Sequence, residues 1–454
     1  MVKNGQLDWI FERILSFQEA PFFIAEDKTY SYADLYSDIE RWSIELNKLE
    51  IEAGESIAVI GEYTPPTVSL FFALIQRNTI IAPLSNDHKN HEKTLAIAEV
   101  SGIFTIHDDQ TWSFRRSDTK ITHGLLKKLH DLRSAGLVLF SSGTTGETKA
   151  AVFQVSKLFE KYRETKGTAF RTLVFLKIDH IGGINTLFSI ISNGGAVITA
   201  QNSTPKEVCK EIEKHRVELF PTTPTFLTML LFSKDYTRFD LSSLKMITYG
   251  TEPMPETVLH TLNQLFPGIK FKQTYGLTEL GIFSTKSRDS RSTWIKIDDS
   301  KNQIKIIDKV LWIKSESAML GYLNAPNPFD EEGWYNTGDK VEVDGEYIKI
   351  LGRETEIINV AGEKVYPIEV ENVILKMPEI QDVLVTGKKN PLTGQLVMAQ
   401  VLLKENIVAD DMEKKIINFC RDYLEDFKIP YIIKFETDGF AGARGKKIRK
   451  DTGA

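Results

Sequence analysis

The chain has 454 residues, of which 42% are hydrophobic and 26% are charged. This composition is typical of a globular protein with about two or three domains, and it excludes a disordered tail or a fibre. The formal net charge is −6, so no overall positive field exists that would hold DNA or RNA. The polar start MVKNGQLDWI does not resemble a signal peptide, and no apolar stretch approaches the roughly 18 residues of a membrane span. We therefore expect a cytoplasmic protein without a nucleic-acid partner and without a membrane span.

Short apolar runs alternate with helical patterns along most of the chain. Such runs occupy residues 137–139, 172–176, 217–220 and 245–249, with amphipathic segments between them. This rhythm predicts an α/β fold in which the sheets are mainly parallel. The segment VEVDGEYIKIL has a different pattern: apolar and polar residues alternate on both sides of an Asp-Gly pair that suits a tight hairpin turn. A small antiparallel subdomain is therefore predicted late in the main body.

The pattern changes again after Arg353. A helix is predicted from Pro367, followed by a strand near 383–385, a strand over 395–403 and a helix over 410–424. These elements form an α+β unit whose size is plausible for a separate domain. The sequence thus predicts a large N-terminal domain over residues 1–353, with mixed and mainly parallel sheets, and a small C-terminal domain over residues 354–454.

The segment FSSGTTGETK, residues 140–149, has the composition of a phosphate-binding loop. Glycines let the backbone approach an anion, and the Ser and Thr hydroxyls can then hydrogen-bond phosphate oxygens. A Walker loop would need four residues between its first Gly and a Gly-Lys pair, with a helix after them. Here Lys149 lies three residues past Gly146 and a strand-like AAVFQV follows. The pattern indicates a phosphate loop of another kind, or else a surface loop that binds nothing.

Three further segments carry side chains suited to a nucleotide. In QTYGLTELG, Tyr275 could stack on a base, Thr278 could bond phosphate and Glu279 could hold Mg²⁺. In WYNTGD, Asp339 could accept both hydroxyls of a ribose, although it could equally serve a tight turn. Arg353 presents a guanidinium suited to oxygen-rich ligands. A basic run, ARGKKIRK, follows near the end of the chain.

Taken in this order, from about Tyr30 to Lys450, these segments resemble those of the adenylate-forming enzymes, which include acyl-CoA synthetases, adenylation domains of peptide synthetases and beetle luciferases. The resemblance implies that Tyr275 lies against adenine, that Thr278 touches the α-phosphate, that Glu279 binds Mg²⁺, and that Asp339 and Arg353 hold the ribose. It also implies that the ATP triphosphate is wrapped by Ser141, Ser142, Gly143, Thr144, Thr145, Gly146 and Lys149. The stretch TYGTEPMP resembles the segment that flanks adenine and the acyl group, which adds Gly250, Thr251 and Glu252.

The same resemblance implies a catalytic lysine and a mobile C-terminal domain. In GKKIR, Lys446 would bridge the substrate carboxylate and the α-phosphate, with Lys447 as its rival. The hinge of the domain motion would lie at Thr355. The segment KIDHIGGIN resembles the family's FHxxGL segment, so His180 would line the carboxylate pocket, unless it is satisfied by backbone partners. Asp179 is an alternative ligand for an amino-acid substrate's ammonium.

The implied activity is ATP- and Mg²⁺-dependent formation of an acyl-AMP from a small carboxylic acid, followed by transfer of the acyl group to CoA. Asn359 stands where several acyl-CoA ligases carry a lysine, but acetyl-CoA synthetases have asparagine there, so the residue does not exclude CoA. The other possible acceptor is the phosphopantetheine of a separate acyl carrier protein. A carrier-loading acyl- or aminoacyl-adenylate ligase is therefore the main alternative. A non-catalytic nucleotide-binding relative and a luciferase-like oxygenase are the others.

Overall fold

The computed structural model describes residues 6–25, 28–88, 91–142, 148–164, 167–298, 300–437, 439–440 and 447. In these residues the helices are α1 (Asp8–Phe17), α2 (Tyr32–Lys48), α3 (Pro65–Gln76), α4 (His91–Ile97), α5 (Gly124–Asp131), α6 (Val155–Phe159), α7 (Lys161–Glu164), α8 (Ile181–Asn193), α9 (Pro205–His215), α10 (Pro224–Ser233), α11 (Glu256–Leu265), α12 (Pro367–Ile374) and α13 (Met412–Arg421). None of these helices combines the length and the apolar character needed to cross a bilayer.

The strands of the first three hundred residues or so build the main body. In chain order they are β1 (Pro21–Ala25), β2 (Lys28–Ser31), β3 (Ser56–Ile60), β4 (Ile80–Leu84), β5 (Gly102–Ile106), β6 (Trp112–Arg116), β7 (Gly136–Ser142), β8 (Thr148–Gln154), β9 (Arg171–Leu173), β10 (Ala196–Ile198), β11 (Leu219–Thr222), β12 (Met246–Tyr249), β13 (Lys270–Gln273), β14 (Gly276–Leu277), β15 (Gly281–Ile282), β16 (Thr285–Ser287) and β17 (Trp294–Ile297).

The later strands complete the antiparallel subdomain and the C-terminal domain. They are β18 (Asn302–Ile307), β19 (Val310–Ser315), β20 (Gly321–Tyr322), β21 (Tyr335–Asp344), β22 (Tyr347–Arg353), β23 (Ile358–Val360), β24 (Glu363–Val365), β25 (Ile380–Asn390), β26 (Gly394–Leu403) and β27 (Ile432–Glu436).

Two seven-stranded sheets form the main body. One has the order β13-β12-β11-β9-β10-β1-β2 and is parallel except at its β2 edge. The other, β20-β8-β7-β4-β3-β5-β6, has a parallel centre with antiparallel strands on both sides. Parallel strands need crossover connections, and the helices between them supply these. The predicted α/β class with mixed, mainly parallel sheets is confirmed.

Local sequence explains where the helices begin. Helix α2 starts after Ser31, whose Oγ accepts a hydrogen bond from the Asp34 N–H at 3.1 Å, while the Asp34 carboxylate accepts one from the Ser31 N–H at 2.8 Å. This reciprocal cap stabilises the helix by about 1 kcal/mol. Apolar residues then recur every three or four positions, and the buried face consists of Tyr32, Leu35, Ile39, Trp42 and Leu46.

The predicted hairpin and the predicted C-terminal unit are both present. Strands β21 and β22 pair antiparallel around Gly345, whose φ of +60° supplies the turn, and they belong to a six-stranded antiparallel sheet, β16-β17-β22-β21-β19-β18. The C-terminal domain has its own sheet, β24-β23-β26-β25, with β27 added beside β26. Its hydrophobic core includes Ile358, Val365, Val383, Val397 and Ile416. The mobility of this domain about Thr355 stays a prediction.

Element boundaries differ from the sequence expectation in places; for example, the run at 217–220 corresponds to β11, which starts at Leu219. The strand predicted over 172–176 ends at Leu173, because the chain leaves the sheet there to reach the start of α8. The helix predicted over 410–424 spans Met412–Arg421. Asp411 has a left-handed φ of +62°, which is incompatible with a helix that begins earlier.

Candidate active site

Two adjoining cavities lie among the loops that follow the strands of the main body. The larger has a volume of about 820 Å³ and the smaller about 200 Å³. They share Thr251, Gly276 and Arg353 in their walls. Every predicted site residue whose side chain is described lines one of them. The larger cavity holds Ser141, Lys149, His180, Gly250, Thr251, Thr278, Glu279 and Arg353, and the smaller holds Thr251, Glu252, Tyr275, Asp339 and Arg353.

Part of the predicted phosphate loop lies outside the described residues. Gly143, Thr144, Thr145 and Gly146 belong to this undescribed part, whereas the backbone of Ser142 forms the end of β7. Lys149 is on the next strand, directly opposite Ser141 in the β7–β8 register. The hairpin of β7 and β8 thus presents both flanks of the loop to the larger cavity.

Lys149 is held by neighbours from a distant segment. The side chain of Asn324 accepts a hydrogen bond from the Ala150 N–H at 2.9 Å and donates one to the Thr148 carbonyl at 2.8 Å, which fixes the backbone on both sides of the lysine. The Lys149 ammonium lies 5.3 Å from the centroid of the Tyr322 ring, within the range of a cation–π interaction. The ammonium is thereby directed along the cavity wall.

Tyr322 also orients the predicted magnesium ligand. Its hydroxyl donates a hydrogen bond to Oε1 of Glu279 at 2.5 Å, and burial together with the Glu279 charge raises the pKa of Tyr322 well above its usual value. The tyrosine therefore stays a neutral donor. Thr278 and Glu279, a hydroxyl and a carboxylate residue, both line the larger cavity. Mg²⁺ prefers oxygen ligands of this kind, so the residues fit the ion that the sequence predicts.

The predicted ribose and adenine residues form one network, in which Tyr275 and Asp339 are buried and Arg353 is partly exposed. Asp339 and Arg353 face each other across the β21–β22 pair, and the Asp339 carboxylate lies 2.8 Å from Nε of Arg353. The Tyr275 hydroxyl donates to the other Asp339 oxygen at 2.6 Å. Burial raises the pKa of Asp339, and the positive charge of Arg353 opposes this shift. The Tyr275 ring also stacks on Phe283, with 6.1 Å between the centroids.

The segment after β12 lies close to the one after β13. A Cβ atom at Gly250 would lie 2.5 Å from Oγ1 of Thr274, so only glycine allows this approach. Thr251 has a φ of +78°, which is rare for a β-branched residue and is found where the surrounding structure imposes it. Glu252 accepts hydrogen bonds from the N–H and hydroxyl of Thr225, at 2.8 and 2.5 Å. Its carboxylate is thus held at the smaller cavity.

Lys447, in the basic run GKKIR, lines the smaller cavity. The Lys447 N–H donates to Oε2 of Glu252 at 3.2 Å. Its ammonium, by contrast, is bound inside the C-terminal domain, 2.6 Å from the Asp382 carboxylate and 2.8 Å from the Val383 carbonyl. The side chains of Lys447 and Asp382 are each 9% exposed. This ion pair argues against Lys447 as the catalytic lysine, and the preferred candidate, Lys446, lies outside the described residues.

His180 and Asp179 stand where the larger cavity meets the start of α8. Nδ1 of His180 accepts a hydrogen bond from the Gly182 N–H at 3.1 Å and so caps this helix. The histidine therefore has the backbone partner that the simpler interpretation expects, and it also lines the cavity. The Asp179 carboxylate accepts hydrogen bonds from the N–H and hydroxyl of Ser85, at 3.3 and 2.8 Å. These bonds disfavour Asp179 as a ligand for a substrate ammonium.

Three residues that no sequence motif indicated also line the larger cavity. They are Tyr322, Lys161 and Lys272. Lys272 could have been noticed, because in the run KFK it lies on the strand face opposite the buried Phe271. Tyr322 and Lys161 carry no comparable signal, since only packing between distant segments brings them to the site.

The comparison with known proteins agrees with this geometry. The model of the AMP-binding enzyme family matches residues 10–323, and that of the AMP-binding enzyme C-terminal domain matches residues 369–440. A 2-succinylbenzoate–CoA ligase of Bacillus pumilus is 24% identical over 95% of this chain and 94% of its own. An indoleacetate–CoA ligase of Aromatoleum aromaticum is 25% identical over 94% and 92%. The structure of an anthranilate CoA ligase in complex with anthranoyl-AMP has the same fold, with a TM-score of 0.84 at 19% identity over 98% and 95% of the two chains.

Proposed function

Because the chain belongs to the family of AMP-binding enzymes, we propose that it activates a carboxylic acid with ATP as an acyl-AMP and then transfers the acyl group to the thiol of CoA. One observation carries this proposal within the site: Lys149, Glu279, Asp339 and Arg353 come from four segments of the chain and meet at two adjoining cavities. The curated relatives named above, which cover nearly the whole chain, support CoA as the acceptor.

In the first step, an oxygen of the substrate carboxylate attacks the α-phosphorus of ATP, and pyrophosphate leaves. Both reactants are anionic, so positive charge must offset their repulsion and stabilise the charge that develops on pyrophosphate. Lys149 would supply such charge to the β- and γ-phosphates, and Lys446 would supply it between the carboxylate and the α-phosphate. Mg²⁺, held by Glu279, would add positive charge at the phosphate oxygens. The network of Asp339, Arg353 and Tyr275 would hold ribose and adenine.

In the second step, the CoA thiolate attacks the carbonyl carbon of the acyl-AMP, and AMP leaves with one of the oxygens of the original carboxylate. Lys446, which would contact the carboxylate in the first step, would stand in the way of the thiol in the second. We infer that the C-terminal domain rotates between the steps, with Thr355 as the hinge. Thr355 is exposed in a short 3₁₀ turn, Glu354–Glu356, directly after β22, and such positions absorb backbone rotation readily.

Transfer to a carrier protein is the second candidate. It would use the same first step and differ only in the acceptor thiol. Asn359, in the place where several acyl-CoA ligases carry a lysine, leaves this acceptor open without excluding CoA. A non-catalytic nucleotide-binding relative would be expected to have lost the catalytic lysine, whereas the sequence retains Lys446.

The proposal is tested by incubating the purified protein with ATP, Mg²⁺ and pooled carboxylic acids, with and without CoA, and by detecting AMP and acyl products by mass spectrometry. We expect AMP together with one or a few acyl-CoA species. Acyl-AMP that persists in the presence of CoA would favour the carrier-protein alternative. No AMP from any pool would contradict the proposed activity.

A further inference from the structure

Two lysines of the larger cavity, Lys161 and Lys272, belong to none of the predicted nucleotide-binding segments. Lys161 is on α7 and Lys272 is on β13, and both line the same cavity. The Lys161 ammonium donates hydrogen bonds to the Asn185 side chain, at 2.6 Å, and to the Ile282 carbonyl. Asn185 belongs to α8, so the lysine is joined to the helix that forms one wall.

Helix α8 forms this wall, and its rise per residue gives distances along the cavity. It contributes Gly182, Asn185, Thr186, Ser189, Ile190 and Asn193 to the cavity, a face with the spacing of successive helical turns. His180, which is predicted to lie at the reacting carboxylate, stands just before the first turn. At 1.5 Å per residue, Asn185 is about 7–8 Å further along the axis. The bonded Lys161 therefore marks a position that only the remote end of a short acid would reach.

The wall around the two lysines is rich in polar groups. Besides those of α8, hydroxyls come from Thr172, Thr222 and Thr248. A plain alkyl chain would remove water from these groups without replacing its hydrogen bonds, which is costly. Apolar contacts are also available from Leu176, Ile190 and Phe283. This mixture fits an acid with a compact apolar body and a polar remote end.

The electrostatics of the wall favour an anion at that end. Burial and the positive charge of Lys272 lower the pKa of Lys161 to about 7. Burial and the charge of Lys270 lower the pKa of Lys272 in the same direction. A negative charge bound between the two ammonium groups would relieve both effects, because an opposite charge favours the protonated lysine.

We propose that the acid activated by this enzyme carries a second anionic group, such as a second carboxylate, and that Lys161 and Lys272 bind it at the end remote from the reacting carboxylate. This inference rests on the proposed function, since it assigns a substrate class to the same site. It predicts selectivity for doubly anionic acids over neutral partners of the same shape.

The test compares acids that differ by one carboxylate: adipate with hexanoate, and 2-succinylbenzoate with 3-benzoylpropanoate. AMP and acyl-CoA formation is measured with the wild type, with Lys272→Met, with Lys161→Met and with the exposed control Lys157→Met. Hydrogen bonds to charged groups account for factors of about 10 to 100. The doubly anionic acid of at least one pair should be preferred by at least about tenfold, and Lys272→Met should remove this preference while the neutral partner changes by less than about threefold.

Lys272→Met keeps the test decisive if Lys161→Met fails to fold, because Lys161 also anchors α8. Turnover that favours the neutral partners, or a preference that Lys272→Met leaves unchanged, would overturn this inference and leave the proposed function standing. If no acid yields AMP, the proposed function fails. The inference is then tested by measuring, with calorimetry, how tightly the protein binds each acid of the same pairs in the presence of a non-hydrolysable ATP analogue. Binding of the dianion that Lys272→Met weakens about tenfold supports it, and equal binding of both partners overturns it.

Discussion

The substitution Asp339→Asn separates the structural role of the buried network from its predicted role in binding ribose. Asp339 is 5% exposed, lies 2.8 Å from Nε of Arg353 and accepts the Tyr275 hydroxyl at 2.6 Å. Asparagine preserves the size of the side chain and one acceptor oxygen but removes the charge. Breaking a fully buried ion pair costs about 3–5 kcal/mol. The Arg353 side chain is 43% exposed and can be rehydrated, so we expect a loss of about 1–2 kcal/mol in the free energy of unfolding.

The effect on ATP should exceed the effect on stability. Each ribose hydroxyl that loses a charged acceptor weakens binding by about 1.5–3 kcal/mol, so the KM for ATP should rise about 10- to 100-fold. Acid-dependent exchange of pyrophosphate into ATP measures the KM, and thermal unfolding should show a midpoint lower by about 1–3 °C. Tyr275→Phe is the matched control, because it removes the donor and leaves the Asp339–Arg353 pair intact. An Asp339→Asn enzyme that is destabilised but retains a KM within twofold of the wild type would refute the ribose assignment.

Three further predictions follow from the same geometry. Glu279→Gln should raise the Mg²⁺ concentration for half-maximal exchange about tenfold, since a carboxylate oxygen is lost, and an unchanged Mg²⁺ dependence would exclude Glu279 as the ligand. Lys446→Ala should lower acyl-AMP formation by about 10²–10³-fold. Lys447→Ala should instead lower the free energy of unfolding by about 3 kcal/mol through its lost ion pair, and should leave acyl-AMP formation within tenfold of the wild type. A larger loss of acyl-AMP formation in Lys447→Ala than in Lys446→Ala would reassign the catalytic lysine. The pKa of Lys161 falls from 10.5 to about 7 on folding, so the free-energy cost of burying the charged lysine is fully present below pH 7 and fades as the pH rises towards the unfolded pKa. In chemical unfolding the wild type should therefore gain about 3 kcal/mol relative to Lys161→Met between pH 6 and pH 9, with no such trend for Lys157→Met.

Contiguous patterns made much of the fold predictable. The alternation in VEVDGEYIKIL and its Asp-Gly turn predicted the β21–β22 hairpin, which has the expected antiparallel register. The apolar run 137–139 predicted β7, whose residues there are fully buried. Boundaries were less predictable. Where β9 ends depends on the path that the chain takes to α8, and this path is set by packing between segments far apart in sequence.

Some residues of the candidate site could likewise be predicted from the sequence, and others could not. Residues within short motifs, such as Thr278 and Glu279, could be proposed because their neighbours identify them. Tyr322 could not, because its contacts with Lys149 and Glu279 join segments that are about 40 to 170 residues apart. Lys161 is a comparable case. Its place in the cavity depends on hydrogen bonds to α8 and β15, and no local pattern around it predicts a charged group there.

The measurement that tests acyl-AMP formation most directly uses an accepted acid labelled with ¹⁸O in its carboxylate. If the carboxylate attacks the α-phosphorus and a thiol then displaces AMP, one ¹⁸O per turnover must move from the acid to the phosphate of AMP. Mass spectrometry of AMP should therefore show a single ¹⁸O for each acyl-CoA formed. Unlabelled AMP, or label found in inorganic phosphate beside ADP, would contradict the account.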